Sequence, residues 1–403
     1  MTVTIEPSTA HGRMEAPPSK SMAHRMLICA GCAEGTSVIS NVDFSEDILA
    51  TLDCLRALGA EVSCSGSTVT VRGTDMRATD RTDILDCREC GSTLRFLIPL
   101  CLTDGQPRLL KGRGKLFKRP LSVYEKICSE QGLGLIRREN ELEVSGKLKS
   151  GEYEVSGAVS SQFISGLLFA LPLLPGDSRI RLIPPVESRP YIEMTMRAQK
   201  LFGVSVRWED DWTIRIEGGQ AYRPQNVRVE GDYSNAAFFE ALNLVGGEVV
   251  VEGLDADSLQ GDRVYRQYFD RIKEGYAQID LADCPDLGPV LMAAAALMHG
   301  AHFKNTRRLR HKESDRGLAM QLELGKMGVS VEISENEIRV GSGARRPQLP
   351  LDGHGDHRIV MALAVMLTVT GGSITGADAV KKSLPDFWQR LRALGISCTK
   401  SVL

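Results

Sequence analysis

"TLRFLIPLCLTDGQPRLL" occupies residues 93–110. Its first ten positions are almost wholly apolar, Gly105 closes the run, and a short strand-like segment follows. Apolar spacing with no polar face, ended by glycine, predicts a helix buried on every side. The pattern returns as "MAHRMLICAGCAEGTSVI" (22–39), "QFISGLLFALPLLPGDSRI" (162–180), "AAFFEALNLVGGEVVV" (236–251), "PVLMAAAALMHGAHFK" (289–304) and "RIVMALAVMLTVTGGSIT" (358–375). The closing glycines Gly35, Gly105, Gly176, Gly247, Gly300 and Gly372 stand 70, 71, 71, 53 and 72 residues apart.

A second helix lies between each pair of these. It is amphipathic, ends at Gly59, Gly132, Gly203, Gly275, Gly328 or Gly395, and usually leads into two short strands. Those glycines are spaced 73, 71, 72, 53 and 67 residues. The same interval is short in both series, so the fourth unit has lost a piece, expected to be the hairpin after "YAQID" (276–280). The chain thus reads as six strand–helix–strand–helix–strand–strand repeats, an α/β fold of three repeats per domain. Apolar helices belong inside and amphipathic ones outside. The expected junction is "RVEGDYSN" (228–235), giving a domain over 18–228 and a second over 1–17 plus 229–403, to which "TVTI" (2–5) contributes a strand.

A length of 403 residues is too long for one ordinary core. Hydrophobic residues at 42% and charged residues at 25% are globular proportions, and 49 Lys plus Arg against 51 Asp plus Glu argue against a broad nucleic-acid footprint. The expectation is a cytoplasmic protein: the first twenty residues lack the basic-then-apolar order of a signal peptide, and no apolar run is long enough to span a membrane. The ten cysteines lie mostly in apolar runs and read as reduced core residues. The pairs Cys29/Cys32 and Cys87/Cys90 lack the companions of a redox or zinc motif, and "DGHGDHR" (352–358) lacks a recognised metal-ligand spacing.

Chemistry gathers at the front of the apolar helices. There stand Lys20-Ser21, Gly91-Ser92, Ser160-Ser161-Gln162, Asp232 with Ser234, Asp286, and Asp356-His357-Arg358. Ser and Asp there serve as N-caps. Helix N-termini also carry positive potential and unpaired N–H groups, so ends that converge would attract anions. "HKESDR" (311–316) follows "HFKNTRRLR" (302–310). Bare, such a density of cations repels itself; an anion, or Glu313 and Asp315, would offset it.

The motifs "PPSKSMAHR" (17–25), "GSTLR" (91–95), "KRP" (118–120), "SSQF" (160–163), "SRPY" (188–191), "CPD" (284–286), "KESDR" (312–316), "DHR" (356–358) and "KSLPDF" (382–387) run in order along nearly the whole chain. In this the sequence resembles the EPSP synthase, or 3-phosphoshikimate 1-carboxyvinyltransferase, family. The resemblance implies a two-domain inside-out α/β barrel closing on a cleft. It implies transfer of the enolpyruvyl group of phosphoenolpyruvate to the 5-hydroxyl of shikimate 3-phosphate, with release of phosphate, in a monomer without metal or organic cofactor.

Residue by residue, the resemblance makes Asp286 the base on the attacking hydroxyl. Glu313 becomes the proton donor to the methylene carbon, with Lys312 sharing the proton work. Phosphoenolpyruvate would be held by Lys20, Gly91, Arg119, Gln162, Arg316, Arg358 and Lys382. Shikimate 3-phosphate would be held by Lys20, Ser21, Arg25, Ser160, Ser161, Gln162, Ser188, Asp286 and Lys312, with Tyr191 bordering its ring. The Gly91 neighbourhood governs glyphosate sensitivity in the family. This chain departs from the pattern at Glu89-Cys90, where Asn followed by Ala or Ser is frequent, and at Arg308, where many members carry Asn. Two rivals are the sister transferase acting on UDP-N-acetylglucosamine and a non-catalytic anion-binding protein. The first needs a cysteine in the loop "KGRGKLFKRP" (111–120), which has none. The second would be expected to have lost Asp286, Glu313 or Lys312.

Overall fold

The computed structural model describes residues 1–78 and 83–401. Two compact units divide the chain, Pro18–Glu230 and Met1–Pro17 with Gly231–Leu403.

The Pro18–Glu230 unit holds helices α1 (Lys20–Gly31), α2 (Glu46–Ala57), α3 (Gly91–Cys101), α4 (Ser122–Gln131), α5 (Ser161–Ala170) and α6 (Arg189–Leu201). Three four-stranded sheets accompany them. In spatial order the first is Asn226–Arg228, Gly35–Ser40, Thr68–Gly73, Glu61–Ser65. The second is Leu85–Asp86, Gly105–Lys111, Glu141–Gly146, Gly134–Arg137, and the third Glu152–Ser156, Ser178–Ile183, Thr213–Ile216, Val206–Trp208. Each opens with a parallel pair and continues with two antiparallel ones.

The apolar helices are the core. Every residue of α3 except Ser92 is buried. Phe96 of α3 meets Phe169 of α5 edge-on, 5.4 Å between centroids. Each such ring taken from water contributes about 1.5–3 kcal/mol. Gly166 lets α5 approach α3 closely, because a Cβ there would overlap the Arg95 carbonyl and the Tyr124 hydroxyl. Tyr124 Oη donates to that carbonyl at 2.6 Å, which keeps its buried oxygen satisfied. The outer helices are one-sided: α4 buries Val123, Tyr124, Ile127 and Cys128, then stops where Gly132 turns left-handed at φ 68°.

The other unit repeats the plan with α7 (Tyr233–Glu240), α8 (Tyr265–Glu274), α9 (Gly288–Leu297), α10 (Arg316–Lys326), α11 (His357–Thr370) and α12 (Phe387–Ala393). Its full sheets are Ala277–Asp280, Ala301–Lys304, Glu337–Val340, Val331–Ile333, and Leu351–Asp352, Gly372–Thr375, Thr2–Ile5, Cys398–Ser401. The remaining sheet has only two strands, Glu248–Glu252 parallel to His11–Glu15. The shortened fourth repeat is therefore real, but the missing hairpin is not after "YAQID". Ala277–Asp280 is itself the edge strand of the next sheet, paired with Ala301–Lys304, so the loss precedes it. The glycine spacing registers a deletion and cannot show on which side of a strand it fell.

Alanines 293–296 give α9 high helix propensity, and Pro289 sits in its first turn where no donor is lost. The helix α8 buries Tyr265, Phe269 and Ile272, a single stripe at helical spacing. All ten cysteines are free thiols, and nine are buried; Cys64 is exposed. No helix among the described residues is long and apolar enough to cross a membrane.

Candidate active site

In the unit containing α7–α12, four helix starts meet. Asp356 is the N-cap of α11, accepting from the Arg358 backbone N–H at 2.9 Å. Asp315 caps α10 through Leu318 N–H at 3.1 Å, and Asp232 caps α7 through Asn235 N–H at 2.8 Å. The start of α9 differs from expectation. Asp286 lies in a 3₁₀ turn, Pro285–Leu287, and the cap position is taken by Leu287 without a side-chain bond.

The Asp286 carboxylate turns instead to three cations. Its Oδ1 accepts from Lys312 Nζ at 2.9 Å and from Arg316 Nη1 at 2.8 Å. Its Oδ2 accepts from Arg358 Nη2 at 3.3 Å. Arg316, buried at the start of α10, also donates from Nη2 to Glu313 at 2.7 Å and from Nε to Asp356 at 2.9 Å. Arg358 reaches across to α7, donating to Ser234 Oγ at 2.5 Å, and to the Asp286 carbonyl at 3.2 Å. Lys382 Nζ donates to the Gly355 carbonyl at 2.9 Å, which sets it beside the front of α11.

Three cations, Lys312, Arg316 and Arg358, thus face three carboxylates, Asp286, Glu313 and Asp356. Burial alone would raise the Asp286 pKa, but Arg358, Lys312 and Arg316 outweigh it and hold the carboxyl well below the usual range. Burial lowers the Lys312 pKa, and Asp286 only partly restores it. Arg316 is pushed the other way: burial opposes its charge, yet Asp356, Glu313 and Asp286 keep it firmly protonated. Arg308 is buried and adds repulsion to Lys312.

The Pro18–Glu230 unit builds a second group. Ser19, not Ser21, caps α1 by accepting from Met22 N–H at 3.3 Å. Ser160 caps α5 through Gln162 N–H at 3.3 Å. The cap of α3 is a sulfur: Cys90 Sγ accepts from Thr93 N–H at 3.4 Å. Ser161 is buried in the first turn of α5, and Ser21 half-buried in that of α1. Gln162 bridges two helix starts, donating to Ser92 Oγ at 2.9 Å and accepting from Arg95 Nη1 at 2.6 Å. A Cβ on Gly91 would lie 2.7 Å from Arg119 Nη1, so the Arg119 guanidinium rests directly against the first turn of α3.

Lys20 Nζ pairs with Asp47 Oδ2 at 2.7 Å. Arg25 ties α1 to α6, donating to Thr195 Oγ1 at 2.8 Å, the Tyr191 carbonyl at 3.0 Å and the Ser21 carbonyl at 2.7 Å. Its guanidinium lies 5.9 Å from the Tyr191 ring centroid. Ser188 is fully buried in the left-handed region, φ 57°, at the N-cap position of α6. Inside the same unit, His24 Nδ1 hydrogen-bonds Thr51 Oγ1 at 2.8 Å, and Thr51 meets Thr93 at 2.7 Å.

Asp286, Lys312, Glu313, Arg316, Arg358 and Lys382 are therefore neighbours in one unit; Gly91, Arg119 and Gln162 are neighbours in the other. The sequence reading overlooked the ties that hold them. Asp356 and Ser234 are visible only as helix-front residues, Arg95 only inside the motif "GSTLR", and Asp47 carries no signal of its own.

A family model for EPSP synthase (3-phosphoshikimate 1-carboxyvinyltransferase) matches residues 5–391. Curated relatives named 3-phosphoshikimate 1-carboxyvinyltransferase include one from Clostridium perfringens, 39% identical over 415 residues with 98% of each chain covered. Another, from Clostridium kluyveri, is 40% identical over 98% of this chain and 97% of its own. The solved EPSP synthase of Acinetobacter baumannii superposes with a TM-score of 0.77 at 23% identity, covering 99% of this chain and all of that one.

Proposed function

The chain belongs to the EPSP synthase family, and from that premise we infer that it is a transferase moving the enolpyruvyl group of phosphoenolpyruvate to the 5-hydroxyl of shikimate 3-phosphate. Phosphate is released, by addition and elimination, as a step of the shikimate pathway toward aromatic amino acids. The observation that carries the residue roles is the meeting of Asp286, Lys312, Glu313, Arg316 and Arg358 at converging helix starts.

Asp286 takes the hydroxyl proton as that oxygen attacks the enol carbon. Glu313 and Lys312 supply the proton to the methylene carbon. Arg316, Arg358 and Lys382 hold the carboxylate and phosphate of phosphoenolpyruvate, a task suited to the two-pronged guanidinium. The charge balance supplies a timing device. Before substrate binds, Asp286 is pinned by three cations and is a weak base. The anionic substrate draws those cations toward itself, and the proton affinity of Asp286 rises when the hydroxyl needs it.

Within the Pro18–Glu230 unit, Lys20, Gly91, Arg119 and Gln162 are assigned to phosphoenolpyruvate. Lys20, Ser21, Arg25, Ser160, Ser161, Gln162 and Ser188 are assigned to shikimate 3-phosphate, together with Asp286 and Lys312 of the other unit. The family's reaction asks for no metal or organic cofactor. The same reading makes the protein a cytoplasmic monomer with small-molecule partners; near-balanced charge supports the absence of nucleic acid.

Phosphate release with phosphoenolpyruvate plus shikimate 3-phosphate, set against phosphoenolpyruvate plus UDP-N-acetylglucosamine, tests it. Turnover is expected with the first pair alone. Turnover with only the second, or with neither, overturns the reading.

A further inference from the structure

His24, Asp47 and Cys90 come from three helix starts, α1, α2 and the cap of α3, and offer one nitrogen, one oxygen and one sulfur within 4.8 Å of one another. The reaction just described uses none of the three. His24 Nε2 and Cys90 Sγ are already 3.9 Å apart. A tetrahedral zinc ion with bonds of about 2.0–2.3 Å sets its ligand atoms about 3.3–3.8 Å apart, so the nitrogen and sulfur have to draw together slightly and the carboxylate has to close in on both.

The surroundings are those of a ligand set. His24 Nδ1 is engaged by Thr51 Oγ1 at 2.8 Å, and Thr51 by Thr93, which fixes the ring and leaves Nε2 facing the sulfur. Cys90 Sγ accepts the Thr93 N–H at the helix start; burial, then Asp47, push the thiol up to about 12, so an ion binding there has to displace its proton. Asp47 holds Lys20 Nζ at 2.7 Å and is only partly buried, which gives an ion a way in.

We propose that His24, Asp47 and Cys90 form an inhibitory site for a borderline-soft divalent cation of the zinc type, and that occupying it displaces Lys20 from Asp47. A sulfur, nitrogen and oxygen donor set selects such an ion over magnesium or calcium. On binding, the Cys90 thiol loses its proton to solvent as the sulfur–metal bond forms, and Asp47 exchanges its ammonium partner for the ion. The Lys20 ammonium is repelled from the new charge. The inhibitory consequence rests on the assignment of Lys20 to the substrates; the binding site does not.

Cobalt(II) titrated into the full chain reads the site directly. Wild type and Cys64→Ser, which removes the exposed thiol, are expected to show a thiolate-to-cobalt charge-transfer band saturating at one equivalent. Cys90→Ser keeps an oxygen at the cap position, so its helix start survives, and it is expected to lose the band; Asp47→Asn should weaken binding at least tenfold. A band that persists in Cys90→Ser, or no band in wild type at millimolar cobalt, overturns the site. Zinc is expected to inhibit wild-type turnover reversibly, with chelator restoring it, and to spare Cys90→Ser, whose zinc-free rate is unchanged. If cobalt reports Cys90 but zinc leaves turnover untouched, the site stands and the assignment of Lys20 to substrate falls.

Discussion

Asp356 accepts from Arg316 Nε at 2.9 Å while the same carboxylate caps α11 through the Arg358 backbone N–H. One buried side chain therefore aims one arginine and starts the helix that carries another. Asp356→Asn should let Arg316 swing without removing it. A charge-assisted bond of about 1.5–3 kcal/mol is weakened, so KM for phosphoenolpyruvate is expected to rise about tenfold or more while kcat falls less. Loss of the buried pair should also cost roughly 3 kcal/mol of stability. Steady-state kinetics beside a thermal melt separate the two effects; a drop in kcat with KM unchanged would show that Asp356 does not act through substrate binding.

Asp286→Asn keeps the shape of the side chain and removes its ability to take a proton. Turnover is expected to fall by roughly 10²–10⁴, the usual contribution of a general base. Affinity for shikimate 3-phosphate, read by calorimetry, should stay within a few-fold. Wild-type turnover in this variant would take Asp286 out of the mechanism.

Gly91→Ala tests how closely Arg119 lies. The added Cβ would stand 2.7 Å from Nη1, the far end of a flexible side chain, so the fold should tolerate it and the guanidinium should move. KM for phosphoenolpyruvate is expected to rise about tenfold, equivalent to about 1.4 kcal/mol, with a melting temperature within a few degrees of wild type. An unchanged KM would place Arg119 outside the substrate site.

His24 gives a pH prediction. Burial pushes its pKa down to about 3; Asp47 opposes this, and Lys20 and Arg25 add to it. The unfolded chain, with an ordinary imidazole near 6.5, binds the proton more readily. Stability is therefore complete above about pH 6.5 and is lost as pH falls from there toward 3. Near pH 5 the loss is about 2 kcal/mol. Melting temperatures from pH 8 to pH 5 should fall less steeply in His24→Gln than in wild type, and parallel slopes would count against a buried neutral ring.

Much of this architecture is written in periodicity. The six buried helices and the shortened repeat follow from apolar spacing and closing glycines, because those report burial and chain reversal directly. What periodicity could not supply is which atom caps which helix. Asp286 looked like a cap because it precedes α9, yet three nearby cations outbid the backbone for its carboxylate. Cys90 is the buried, free thiol that the sequence leads one to expect and also a cap. Ser19 stands just before α1, ahead of the Ser21 that the motif singles out, and takes the cap role by bonding Met22 N–H. The Cys90 and Ser19 caps are local, but the Asp286 contacts depend on partners far away in sequence, as does the bond between Arg358 and Ser234.

The strand Thr2–Ile5 runs between Gly372–Thr375 and Cys398–Ser401. On the ribosome both neighbours emerge long after it does. The Pro18–Glu230 unit, whose strands all lie within its own span, can assemble as soon as Asn226–Arg228 has emerged to close its first sheet. The strand Thr2–Ile5 must meanwhile wait, unpaired, until Gly372–Thr375 emerges. Folding is thus ordered in time, the Pro18–Glu230 unit before the sheet that holds Thr2–Ile5, and a chain stalled short of Gly372 would carry one finished unit and an orphaned Thr2–Ile5 strand.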